Sequence, residues 1–145
     1  MRNSLRETVL FEAVRNGKLD VVQELLNAGI DVNVRNNTYE TALADASTAE
    51  MVNALITARA DVNVRDKDGY TPLLNAIVDK SIDVVCSLLK AGADVNIRSY
   101  LGMTALLHAL RRDSRDNYKD MVQTLLEAKA DASGVDDDGN SVLHL

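Results

Sequence analysis

The chain has 145 residues, enough for one domain, and 46% of them are hydrophobic while the aromatics amount to one Phe and four Tyr, a balance that predicts a core of repeated Leu, Val and Ala rather than one built around large rings. A net charge of −6 and a pI near 4.8 exclude a dedicated binder of DNA, RNA or anionic membrane, whose phosphate contacts require a basic surface. Cys86 is the single cysteine, no apolar run reaches the roughly 20 residues of a spanning helix, and MRNSLRET lacks a signal-peptide pattern, so a soluble intracellular protein of the cytoplasm or nucleus is expected.

In chain order the first element is TVLFEA from Thr8, followed by VVQELLNAGIDVN from Val21. In the second segment apolar residues recur at i, i+1, i+4 and i+5, one stripe of a helix. The pair then returns as TALADA from Thr41 with MVNALITARADVN from Met51, as TPLLNA from Thr71 with VVCSLLKAGADVN from Val84, and as TALLHA from Thr104 with MVQTLLEAKADAS from Met121, before SVLHL from Ser141. DVNVR at 31–35 and 61–65 and DVNIR at 94–98 punctuate the copies. Such self-similarity predicts a stack of like units, each covering the apolar face of the next.

The spacings locate where the unit tolerates change. Asp31 to Asp61 is 30 residues, Asp61 to Asp94 is 33, and Asp94 to Asp131 is 37. Each of these Asp residues lies 10 before a Thr or Ser and 6 after Leu25, Leu55, Leu88 or Leu125. The variation therefore falls between the two helices of a unit. Losing three residues or gaining four is close to one turn at about 3.6 residues per turn, so a helix is expected to change length while its apolar face keeps its direction.

The third copy, DKDGYTPLLNAIVDKSIDVVCSLLKAGADVNIR from Asp66 to Arg98, resembles the ankyrin repeat nearly letter for letter, and the resemblance extends over essentially the whole chain. It implies an all-α repeat solenoid of stacked antiparallel helix pairs with projecting β-turn fingers. A single domain spans 1–145, with repeat 1 at about 4–35, repeat 2 at 36–65, repeat 3 at 66–98, repeat 4 at 99–135 and a partial fifth repeat at 136–145. The local chemistry agrees. Thr71 can cap a first turn, Pro72 supplies a helical φ where no N–H is needed, and Gly69 and Gly92 suit left-handed residues in a turn and after a helix. Repeat 2 departs from the pattern, with Tyr39 and Arg59 standing where those glycines belong and three residues missing, and Lys129 takes the same glycine position in repeat 4. Repeat 2 is therefore expected to be the soft joint of the stack.

The resemblance also suggests a binding face. Val32, Val62 and Val95 are expected to plug the core, whereas Arg35, Arg65 and Arg98 stand where family members face a concave groove. Rungs about 8–10 Å apart, as in helix packing, would be too distant to touch. Lys67, Tyr70, Tyr100, Leu101 and Met103 occupy finger positions, the last three as apolar anchors of the kind interfaces use. Arg111 and Arg112 open the charge-rich stretch RRDSRDNYKD and would extend the basic ladder, which ends at Val135. An acidic or mixed protein segment is the partner such a surface implies. Asn33, Asn63 and Asn96, each with a Leu eight residues upstream, resemble the family's substrates of an asparaginyl hydroxylase.

Catalysis has little to stand on. His144 holds the family's TPLH position, where hydrogen bonding between fingers is the usual role, and Asp136 to Gly139 is read as a finger turn because the spacing and closing Glu of a calcium loop are missing. With neither a phosphate loop, a metal cluster nor a nucleophile elbow in view, no enzyme, cofactor or metal is expected. A monomeric protein-binding module is the first reading, and an architectural array within a longer protein is the second.

Overall fold

A computed structural model describes residues 4–79, 81–111 and 118–130. Arg112, the rest of the 112–117 stretch, and everything from Asp131 onward lie outside the described residues, and with them the expectations for Val135, the 136–139 turn, His144 and the partial fifth repeat. The described helices are α1 (Ser4–Arg15), α2 (Leu19–Asn27), a 3-10 helix (Ala42–Asp45), α3 (Ala49–Thr57), α4 (Pro72–Val78), α5 (Ile82–Lys90), α6 (Ala105–Arg111) and α7 (Tyr118–Glu127).

They form two layers. The inner row runs α1, the 3-10 helix, α4 and α6, the outer row α2, α3, α5 and α7, and each helix packs on the next in its row. One continuous core lies between the rows, including Leu10, Val14, Val22, Val52, Leu55, Leu74, Val85, Leu88, Leu106 and Leu125. The repeated letters thus become repeated packing positions. Leu55, Leu88 and Leu125 are fully buried, while Leu25, with the same register in the first repeat, is half-buried.

The deletion in repeat 2 is absorbed by the inner helix. α2, α3 and α5 all keep nine residues, whereas the 3-10 helix has four and α4 has seven, a difference of three. The expected shortening is present, and the helix also tightens: Ala44 N–H donates to the Thr41 carbonyl and Ala46 N–H to that of Leu43, the i→i+3 pattern of a short 3-10 piece. Its apolar face still points inward, with Ala42 and Leu43 buried.

Tightening the turn costs repeat 2 its cap. Thr71 Oγ1 accepts from Leu74 N–H and Thr104 Oγ1 from Leu107 N–H, each at 3.3 Å, but Thr41 Oγ1, in a residue 1% exposed, has no partner among the described residues. A buried hydroxyl left unpaired costs about 1–3 kcal/mol. Thr41→Val is accordingly expected to be neutral or to stabilise the chain by up to about 1 kcal/mol, and Thr71→Val to cost about 1 kcal/mol through its lost cap. Denaturant midpoints of the two variants check this, and equal losses at both sites would contradict it.

The left-handed positions fall where the alignment puts them. Tyr39, Arg59 and Lys129 have φ of 64°, 70° and 69°, beside 80° at Gly69 and 92° at Gly92. Repeat 2 thus carries two non-glycine residues in a region that costs L-residues about 1 kcal/mol or more each.

Candidate functional site

Each finger is a tight turn built by its first residue. Asn36, Asp66 and Ser99 donate their N–H to the carbonyls of Glu40, Tyr70 and Met103. Their side chains close the turn from inside: Asn36 Oδ1 accepts from the N–H of Thr38 and Glu40, Asp66 Oδ1 from those of Asp68 and Tyr70, and Ser99 Oγ from that of Met103. Single backbone bonds join neighbours, Lys67 N–H to the Thr38 carbonyl and Tyr100 N–H to the Asp68 carbonyl, at 3.0 and 3.1 Å. These bonds tie the three fingers into one row.

Asp-Val-Asn belongs to this scaffold. Asp31, Asp61 and Asp94 accept through Oδ1 from the N–H two residues on, an Asx turn. The asparagines then reach into the next repeat: Asn33 Oδ1 accepts from Asp61 N–H at 2.7 Å while its Nδ2 donates to the Arg59 carbonyl, Asn63 Oδ1 accepts from Asp94 N–H at 2.8 Å, and Asn96 Nδ2 donates to the Lys129 carbonyl. Val32 and Val95 are buried as expected, and Val62 is half-buried.

The arginines are not equivalent rungs. Arg35 is exposed and has no polar partner among the described residues. Arg65 lies over the Tyr100 ring with its guanidinium carbon 5.6 Å from the centroid, and its Nη2 donates to the backbone carbonyl of Arg98. Arg98 Nη1 donates to the Gly102 carbonyl at 3.5 Å. The expectation that successive rungs are too far apart to touch is thus corrected, because an extended arginine crosses one repeat spacing and meets the neighbour's backbone. The ion pair among the described residues is elsewhere, between Arg15 Nε and Asp45 Oδ2 at 2.9 Å.

Tyr100 and Leu101 are 62% and 71% exposed at the tip of the fourth repeat's finger, and Lys67 is exposed on the finger before it. Met103 is not a tip residue. It is 6% exposed, since the turn closes through Ser99 and brings it under the finger, where its Sδ accepts from Arg111 Nη1 at 3.5 Å. Tyr70 is half-buried and stands edge-on to His108, ring centroids 5.2 Å apart. Tyr39, 58% exposed, is a further aromatic tip, which its place at a glycine position of the repeat conceals in the sequence. The signal was its side chain: a Tyr held left-handed at a turn points an aromatic ring outward.

A second feature lies where the missing turn would be. A groove of about 400 Å³ opens between repeats 2 and 3, with Leu43, Asp45 and Ser47 on one wall and Ala76, Asp79 and Val84 on the other. Burial pushes the Asp45 carboxyl above the ordinary aspartate range; the hydrogen bond and charge of Arg15 work against that rise, and the charges of Glu40 and Asp79 add to it. Among the described residues no group of three or more His, Cys, Asp and Glu is arranged to hold a metal ion, and no helix is long and apolar enough to cross a membrane.

A family model described as ankyrin repeats, in three copies, matches residues 10–99. No curated protein matches the chain.

Proposed function

The chain belongs to the ankyrin-repeat family, and on that premise we propose that it is a non-catalytic module whose finger row binds an acidic or mixed segment of another protein and thereby recruits or inhibits it. Ankyrin repeats are generally protein–protein interaction modules and typically lack catalytic activity. The observation that carries the reading is the exposed surface itself, Arg35 and Lys67 beside the tips Tyr39, Tyr100 and Leu101. Aromatic anchors next to cations are the composition of interface hot spots. Arg65 contributes as a preorganised cation, because stacking on Tyr100 leaves less side-chain freedom to lose on binding. Arg98 and Arg111 extend the same basic edge in this proposal, with Tyr70 and Met103 supporting the fingers from beneath, and Arg112 lies outside the described residues.

The test is affinity for a captured partner at two salt concentrations. The triple variant Arg35→Ala, Arg65→Ala, Arg98→Ala is expected to lose about tenfold or more at low salt, with the loss shrinking as salt rises. Arg65 also holds the fingers together, so Arg35→Ala alone separates binding from stability: it should weaken binding and leave the melting temperature unchanged. Unaltered affinity in the triple variant would favour the architectural reading.

The asparagines carry a further part of the proposal, as sites of hydroxylation. Their side chains link repeats, so an enzyme must draw each finger base away from its neighbour, and Asn33, on the repeat 1–2 joint, should react before Asn63. Mass spectrometry after incubation with an asparaginyl hydroxylase tests this, and no oxidised asparagine would refute it.

A further inference from the structure

The large apolar side chains exposed among the described residues are Val9, Val21, Tyr39, Tyr100, Leu101 and Leu126. Tyr39, Tyr100 and Leu101 are finger tips, and the other three belong to the first and fourth repeats, at the two ends of the described stack. Val21 stands four residues before Leu25 as Met51, Val84 and Met121 stand before Leu55, Leu88 and Leu125; it is 41% exposed, whereas those three are buried. Val9, next after Thr8, shows the same contrast with Ala42, Pro72 and Ala105. These positions are buried wherever a repeat precedes them, so the leading face of repeat 1 is made like an internal joint, and nothing among the described residues covers it. The hydrogen bonds agree. Asp61 and Asp94 donate their N–H to Asn33 and Asn63 of the repeat before, while the N–H of Asp31, at the same place, has no partner among the described residues. At the trailing end Leu126 is exposed, where Leu26, Ile56 and Leu89 are half-buried. A repeat stack stays single when its ends are polar, and these are not.

We propose that the leading face of repeat 1 docks on the trailing face of repeat 4 in a second copy of this chain, α2 of one copy lying against α7 of the next, with Val21 and Leu25 meeting Leu126. The stack itself selects the occupant. The outer-row joints inside the chain, α2 with α3, α3 with α5 and α5 with α7, show what covers such a face: the trailing side of a preceding repeat. Both halves of one more joint of this kind are exposed on a single molecule, and a second copy supplies each half to the other. Because the two surfaces differ, the contact is head-to-tail and leaves a free end on each copy, so association does not close at a dimer. Ser133 stands in repeat 4 where Asn33, Asn63 and Asn96 stand in the others. The end joint therefore lacks the asparagine link and is weaker than the internal joints, which makes it reversible. Its consequence is avidity: an assembly carries several finger rows, so a partner with repeated acidic segments is held at more than one point.

The test is sedimentation of the full chain over a range of concentrations up to about 1 mM. The average mass is expected to rise past two copies without a plateau. Salt should raise it further, because copies of net charge −6 repel one another, whereas salt weakens binding at the finger row. Val21→Asp and Leu126→Asp, both at exposed positions, should keep the fold and each lower the association constant about tenfold or more, since docking would bury an unpaired charge. Should the aspartate at 21 lower the melting temperature, Val21→Ser reads the same contact. An equal mixture of the two aspartate variants should associate again and stop at a pair, because each keeps one sound end. Tyr100→Ala, at a finger tip, should leave the mass unaffected, so failure of this contact and failure of the finger-row reading are told apart. A single copy at every concentration, an association that Leu126→Asp leaves intact, as two paired leading faces would give, or a mixture that stays apart would each overturn the proposal.

Discussion

Gly69→Ala is expected to lower the unfolding free energy by about 2–5 kcal/mol and to disorder the finger row around Tyr100. Two costs add. The residue has φ of 80°, which costs an L-residue about 1–2 kcal/mol, and a Cβ there would lie 2.7 Å from the backbone nitrogen of Tyr100 and 2.8 Å from its ring, an overpacking penalty of about 1–3 kcal/mol. The ring cannot yield freely, because Arg65 sits on it and Tyr100 N–H is bonded to Asp68. Arg59→Gly should act in the opposite direction, stabilising by about 1 kcal/mol, since φ of 70° is relieved and the carbonyl that accepts from Asn33 is retained. Denaturant midpoints of the two variants measure both effects. An unchanged midpoint for Gly69→Ala would mean that the fingers separate without cost.

Leu55→Ala should cost about 2–5 kcal/mol and split the stack. Leu55 is fully buried, and truncating such a side chain loses its transfer energy and leaves a cavity. Position matters more than size. Repeat 2 already has an inner helix reduced to four residues, a Thr41 hydroxyl without a partner among the described residues, and two left-handed non-glycine residues. In a stacked array stability is the sum of each unit and its interfaces, so the weakest unit is where cooperativity breaks. Amide exchange is therefore expected to lose protection across α1, α2 and α3 while α5 keeps it. Uniform loss along all the described helices would show the stack to unfold as one block and remove repeat 2 as its soft joint.

The groove at the deletion and the ordered fingers suggest a division of labour along the chain. The fingers owe their rigidity to bonds between repeats, from the asparagines at the base to Tyr100 at the tip. The deletion withdraws a helical turn without disturbing either, because the outer helix keeps its nine residues and the finger precedes the shortened segment. A groove can thus open in one repeat while the row beside it stays in register.

The amino-acid sequence by itself determined what depends on neighbours within one repeat: the helix pairs, the register of Leu55, Leu88 and Leu125, the cap at Thr71, and the three left-handed residues where glycine is missing. Those follow from helical periodicity and backbone sterics, both short-range and repeated along the chain. What only the tertiary structure decided depends on residues some thirty positions away. Arg65 meets the backbone of Arg98 and the ring of Tyr100 because an arginine is long enough to span one repeat. Met103 is buried and Leu101 exposed because the Ser99 turn directs one beneath the finger and the other outward. Thr41 has the same letter and place as Thr71 but no donor to accept from among the described residues, since a 3-10 turn moves the amide its hydroxyl would have met. The groove beside Asp45 has no motif at all: it is the space left when the helix next to α4 is one turn too short.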